Sequence, residues 1–171
     1  GCSPDDDIYV TGNIGDSFIG LNIIKKNYNF KSFNSFFVKK YYEPDIQTKI
    51  SSYLHKIASS SIDVSDGLIQ DLSHLTSLNK VGAFVDTKML PFSDNTKKLI
   101  KNKKINFKNI FSKGDDYQIL FTSNKKNRSK IIKLSNYLKV KISRIGQINN
   151  KNNIILKHEH SKYKNVISAH K

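Results

Sequence analysis

Cysteine and arginine are almost missing from this chain of 171 residues. The single cysteine, Cys2, excludes a disulfide framework within the chain and suits a reducing, cytoplasmic compartment. No apolar run approaches a membrane span, and no basic start followed by an apolar core suggests a signal peptide. Of 29 basic residues only Arg128 and Arg144 are arginines, and 14 acids leave a net charge of +15. Such a charge invites a nucleic-acid reading. The lysines, however, are spread over surface segments and mixed with asparagine, whereas base and phosphate recognition favours arginine. A surface rich in lysine and asparagine also follows from A·T-rich codon usage. Neither a nucleic-acid partner nor a membrane is therefore expected.

The acids carry the sharper signal. Nine of the 14 fall into Asp5-Asp6-Asp7, then Asp16 with Asp63, Asp66 and Asp71, then Asp115-Asp116, if Asp16 lies near the second set in space. Apolar content is low at 37%, yet ten Phe and eight Tyr supply bulky core candidates for one domain. The chain starts at Gly1 and reaches strand-like residues almost at once, so the N-terminal side of a larger protein is expected to be missing.

One stretch organises the rest. Ile62-Asp63-Val64-Ser65-Asp66-Gly67 reads as a strand and tight turn, and Leu68, Leu72, Leu75 and Leu78 then follow at helical spacing. Asp63 and Ser65, two apart, point the same way, and Ser65 or Asp66 is a good helix N-cap. Backbone N–H groups at that helix start would favour a phosphate, and the carboxylates would suit its Mg²⁺. The same pattern also describes a capped helix beside a solvated Asp pair. Lys113-Gly114-Asp115-Asp116 feeding Tyr117 to Phe121 reads as a turn entering a buried strand, with the two acids either meeting a ligand or simply starting the strand.

Elsewhere, Asp7 to Thr11 reads as a strand, stopped by Gly12-Asn13-Ile14-Gly15. That turn either cradles phosphate or only permits close packing. A helix from Asp16 should bury Phe18, Leu21 and Ile24, and Phe33, Phe36, Phe37, Tyr41 and Tyr42 should line the next. Pro44 suits the first turn of a third helix carrying Ile46, Ile50, Tyr53, Leu54 and Ile57. Ala83 to Asp86 is a strand, Ser93 or Asp94 caps a basic helix, and a further basic helix runs through Ile131 and Leu138. Strands at Val140 to Gly146 and Ile154 to Leu156 follow. His55 and His74 have no partner at metal-ligand spacing and belong on the surface. The tail at 158–171, with His158, His160 and His170, is polar and expected to lack structure.

Taken together, three stretches resemble the C-terminal half of bacterial thiamine-monophosphate kinase, of the superfamily that includes aminoimidazole ribonucleotide synthetase. They are Asp7 to Ser17; Ser61 to Leu68 with Asp71-Leu72, continued by Val81-Gly82-Ala83 and Leu90-Pro91-Phe92-Ser93; and Gly114 to Phe121, similar to the family's Gly-Gly-Glu-Asp-Tyr-Glu-Leu signature. Arg144-Ile145-Gly146 fits the family's late strand. The resemblance runs from about Asp5 to Ile148. It implies an α+β fold, a mixed β-sheet layered with α-helices like the C-terminal domain of aminoimidazole ribonucleotide synthetase-related proteins, over residues 1–157.

It further implies ATP- and Mg²⁺-dependent phosphorylation of thiamine monophosphate to thiamine diphosphate. Carried over by position, Asp63 and Asp66 would be Mg²⁺ ligands, Ser65 an ATP contact and Asp115 a contact to the thiamine substrate. Phosphoryl transfer requires positioning and charge neutralisation rather than a protein nucleophile, so no catalytic side chain is assigned. Lys113 stands where the family has glycine, Asp115 where it has glutamate, and the family's C-terminal aromatic has no clear counterpart. The family's N-terminal domain, which carries most metal ligands and forms the homodimer core, is absent. A chain without it is expected to turn over little. The alternatives are another ATP-dependent synthetase of the superfamily, or a non-catalytic binding fragment.

Overall fold

A computed structural model describes residues 1–157, apart from the side chains of residues 108 and 111, and the backbone of residues 165–168. In chain order the elements are β1 (Asp7–Thr11), α1 (Asp16–Ile24), α2 (Asn34–Tyr42), α3 (Thr48–Ile57), β2 (Ser60–Val64), α4 (Leu68–Leu78) and β3 (Gly82–Asp86). They continue with α5 (Asp94–Lys101), α6 (Phe107–Phe111), β4 (Gln118–Ser123), α7 (Arg128–Leu138), β5 (Ile142–Asn149), β6 (Asn153–Lys157) and β7 (Asn165–Ser168). The strands form one mixed sheet in the order β2-β4-β1-β5-β3-β6-β7. All neighbours are antiparallel except β3 and β6.

Alternation along the strands divides the core. Ile8 and Val10 of β1 point into the larger core with Ile19, Phe37, Leu68, Leu72 and Leu99 of the helices on that face. Tyr9 points to the other face, where its ring stacks on Phe121 at 5.2 Å and packs with Ile50, Ile57 and Ile131 from α3 and α7. The α+β expectation therefore holds, with helices on both faces of a mixed sheet.

Several local expectations are corrected by packing. In α1 the buried face is Ile19 and Gly20, whereas Phe18 and Leu21 are half-buried and Ile24 is exposed. A Cβ at Gly20 would fall on the Phe37 carbonyl, so the glycine lets α1 and α2 approach closely and sets the contact face. Of the aromatic stripe only Phe37 is fully buried, and Tyr42 is exposed. Pro44 precedes α3 by several residues, because Gln118 Nε2 donates to the Asp45 carbonyl and Lys40 pairs with the Asp45 carboxylate, holding that segment as a strap. The tail, expected to be without structure, supplies β7 against β6. His158, His160 and His170 lie outside the described residues.

Candidate functional site

The organising stretch forms the strand, turn and helix expected of it, but its cap is different. The residue before α4 is Gly67, at φ 124°, and neither Ser65 nor Asp66 caps the helix. Asp71, buried in the first turn, instead reaches back: its Oδ2 accepts from Asp66 N–H (3.2 Å) and Gly67 N–H (3.1 Å). A capping box reaches back in the same way from one residue earlier in the helix. The two N–H groups of the turn before the helix therefore already hold a carboxylate. Burial pushes the Asp71 carboxyl up, the two N–H groups oppose that, and the charges of Asp66 and Asp63 add to the rise.

The Gly114 loop is locked onto this turn. Asp115 N–H donates to the Ser65 carbonyl and Tyr117 N–H to the Val64 carbonyl, both at 2.9 Å. A Cβ at Gly114 would collide with the Ser65 carbonyl, and one at Gly67 with the Ser112 and Lys113 backbone. Two stretches about 50 residues apart thus meet with only glycine's volume between them. Asp115 and Tyr117 both take positive φ, 70° and 50°, and burial alternates: Asp116 and Gln118 face inward, Tyr117 outward.

Asp116 serves the fold. Its carboxylate accepts from Gly15 N–H at 2.6 Å and Ser17 N–H at 3.3 Å, filling the turn that opens α1. The glycine turn is therefore no free phosphate cradle. Burial raises the Asp116 carboxyl to about 7, against the lowering effect of those two N–H groups and with a further push from Asp16. Asp16 is also buried and raised, chiefly by desolvation; one of its oxygens accepts from Ser93 Oγ (2.7 Å) and Thr96 Oγ1 (2.6 Å). Ser93 also caps α5, accepting from Thr96 N–H. Asp16 accordingly groups with Asp116 and the start of α5, and not with Asp63, Asp66 and Asp71, the set it joins only on the assumption of proximity.

Of the four expected site residues, Ser65 and Asp115 are joined through their backbones, and Asp63 and Asp66 flank Ser65. Asp63 and Asp66 are exposed, Ser65 and Asp115 half-buried. Neither Asp63 nor Asp66 forms an ion pair with a described residue; Asp66 accepts only from Gln70 Nε2, at 3.3 Å. Among the described residues no three His, Cys, Asp or Glu side chains converge as a metal site. Mg²⁺, however, keeps several waters and commonly takes one or two carboxylates together with phosphate oxygens. Two exposed, uncompensated carboxylates fit that mode of binding, and they fit a site completed by other groups better than a closed cage.

No protein-family model matches the chain. It is 37% identical over 145 residues to the thiamine-monophosphate kinase of Buchnera aphidicola subsp. Acyrthosiphon pisum, covering 82% of this chain and 44% of that protein. The crystal structure of thiamine-monophosphate kinase from Stenotrophomonas maltophilia K279a superposes with a TM-score of 0.81 at 25% identity, over 93% of this chain and 52% of the other. AaThiL complexed with AMPPCP and TMP shares the fold, with a TM-score of 0.78 at 24% identity, over 96% of this chain and 52% of the other. The chain spans about half the length of the relatives it matches. Over most of its own length it is homologous to part of the thiamine-monophosphate kinases.

Proposed function

We propose that this chain, a homologue of part of the thiamine-monophosphate kinases, forms the C-terminal half of such an enzyme, which uses ATP and Mg²⁺ to convert thiamine monophosphate to thiamine diphosphate. The observation that carries the proposal is the junction of the two most specific motifs, through Asp115 N–H to the Ser65 carbonyl and Tyr117 N–H to the Val64 carbonyl. It puts a pair of exposed acids and a hydroxyl beside a third acid at one sheet edge.

In this reading Asp63 and Asp66 hold Mg²⁺, Ser65 contacts ATP and Asp115 contacts the thiamine substrate. When bound, the cation neutralises charge on the phosphate oxygens as the phosphoryl group moves. The chain's own contribution is to fix where that neutralisation happens. Asp71 keeps the Asp66 and Gly67 N–H groups occupied, so these two groups do not recruit phosphate and the carboxylate-held cation does. Gly67 and Gly114 let the metal side and the substrate side touch, which orients the two phosphate-bearing molecules towards each other. The remaining ligands and the homodimer contact belong to an N-terminal half, so the chain alone turns over little.

The test is the complete polypeptide containing this chain, supplied with ATP, Mg²⁺ and thiamine monophosphate. Asp63→Asn and Asp66→Asn should each lower turnover at least tenfold with an unchanged melting temperature. Near-normal rates in both variants would return these residues to a solvated turn.

A further inference from the structure

Both arginines of the chain converge on one carboxylate. Asp7, fully buried at the start of β1, accepts from Arg128 Nε at 2.6 Å and Nη2 at 2.8 Å, and from Arg144 Nη1 at 3.2 Å. The Tyr9 hydroxyl donates to the same group at 3.3 Å. The bidentate Arg128 fork alone neutralises Asp7, so Arg144 brings a positive charge that Asp7 does not require. Neither guanidinium is sealed in, the side chains of Arg128 and Arg144 being 44% and 47% exposed. Within the described residues Arg128 Nη1 and Arg144 Nε and Nη2 donate to nothing.

Both arginines line a depression of about 320 Å³ between β1, β5 and α7, with Tyr9, Ile131, Ile132 and Ile142 on its apolar side. That volume is at the lower end of small-molecule sites. The place is distinct from the Asp63 turn: β4 and β1 lie between β2 and β5, roughly 14 Å across the sheet. All other basic residues of the chain are lysines, and a lysine cannot present the planar fork these positions offer.

We propose that this depression binds a small organic oxyanion, a carboxylate or phosphate monoester attached to an apolar group. Asp7 holds the two guanidiniums in place before the ligand arrives, which limits the ordering cost of binding. The anion meets the outward N–H groups of Arg144 and Arg128, while its apolar part covers Ile132 and Ile142.

The test is titration of the ¹⁵N-labelled 171-residue chain at constant ionic strength with inorganic phosphate, phenyl phosphate, acetate and phenylacetate, reading backbone amides and arginine Nε–H signals. Saturable shifts confined to Arg144, Ile132 and their neighbours are expected, several-fold tighter for the phenyl compounds than for the bare anions. The phosphate and carboxylate arms decide which head group is preferred. Arg144→Gln, which leaves the Arg128–Asp7 fork intact, should weaken binding at least tenfold. Ile132→Glu, at an exposed position outside the Asp7 network, should do the same by repulsion, and it decides the matter if Arg144→Gln fails to fold. No saturable shift in the millimolar range, shifts spread evenly over the lysine surface, or full binding in Ile132→Glu would overturn the proposal.

Discussion

Single acids in this chain do work that their sequence neighbours do not foretell. Asp115 and Asp116 are adjacent, yet one stands at the junction of the two loops and the other is sealed beneath the α1 turn. The folded Asp116 carboxyl titrates at about 7, against an ordinary unfolded value of about 3.9, so between those values the folded state holds the extra proton. The contribution of Asp116 to stability is therefore full below that window and is lost as pH rises through it. Asp116→Asn should flatten the fall in unfolding free energy between these pH values by on the order of 1 kcal/mol per unit. Urea unfolding across pH checks this, with Asp16 and Asp71 supplying what slope remains; an unaltered slope would contradict it. Asp71→Ala, which strips the acceptor from the buried Gly67 N–H and the part-buried Asp66 N–H, should cost about 1–3 kcal/mol by the same assay.

Elements were more legible than the faces they bury. The α4 leucines follow helical spacing, and Leu68, Leu72 and Leu75 are buried, but Leu78, the last residue of the helix, is 85% exposed. Leu72→Ala should accordingly cost about 2–5 kcal/mol, whereas Leu78→Ser should stay within about 0.5 kcal/mol of the parent protein. In α1 the glycine that spacing ignores, Gly20, chose the contact face. Local pattern reports that a helix exists; which stripe it buries depends on partners far along the chain. The same limit explains the site. Asp63, Ser65, Asp66 and Asp115 stand out as candidates because each lies in a dense local motif. The filling of both turn N–H sets, by Asp71 and Asp116, was not legible: the first needs a carboxylate reaching backwards over one helical turn, the second a contact across 101 residues. The junction of the loops was invisible for the same reason. Gly114→Ala would force it open, and it should lower both stability, by about 1–3 kcal/mol, and turnover of the complete protein.

At the scale of the molecule, an α+β fold presents the exposed Asp63 and Asp66 at and beside its edge strand β2. Neither carboxylate forms an ion pair with a described residue, and no three-ligand metal cluster forms among the described residues. The chain also spans about half of its relatives' length. No helix among the described residues is long and apolar enough to cross a membrane. The most direct measurement is product formation by the complete polypeptide with ATP, Mg²⁺ and thiamine monophosphate, beside the same reaction with the 171-residue chain alone. Thiamine diphosphate formed by the complete polypeptide, abolished by chelating Mg²⁺ and near background for the chain alone, is the result expected. No thiamine diphosphate from a folded, complete polypeptide would contradict the account.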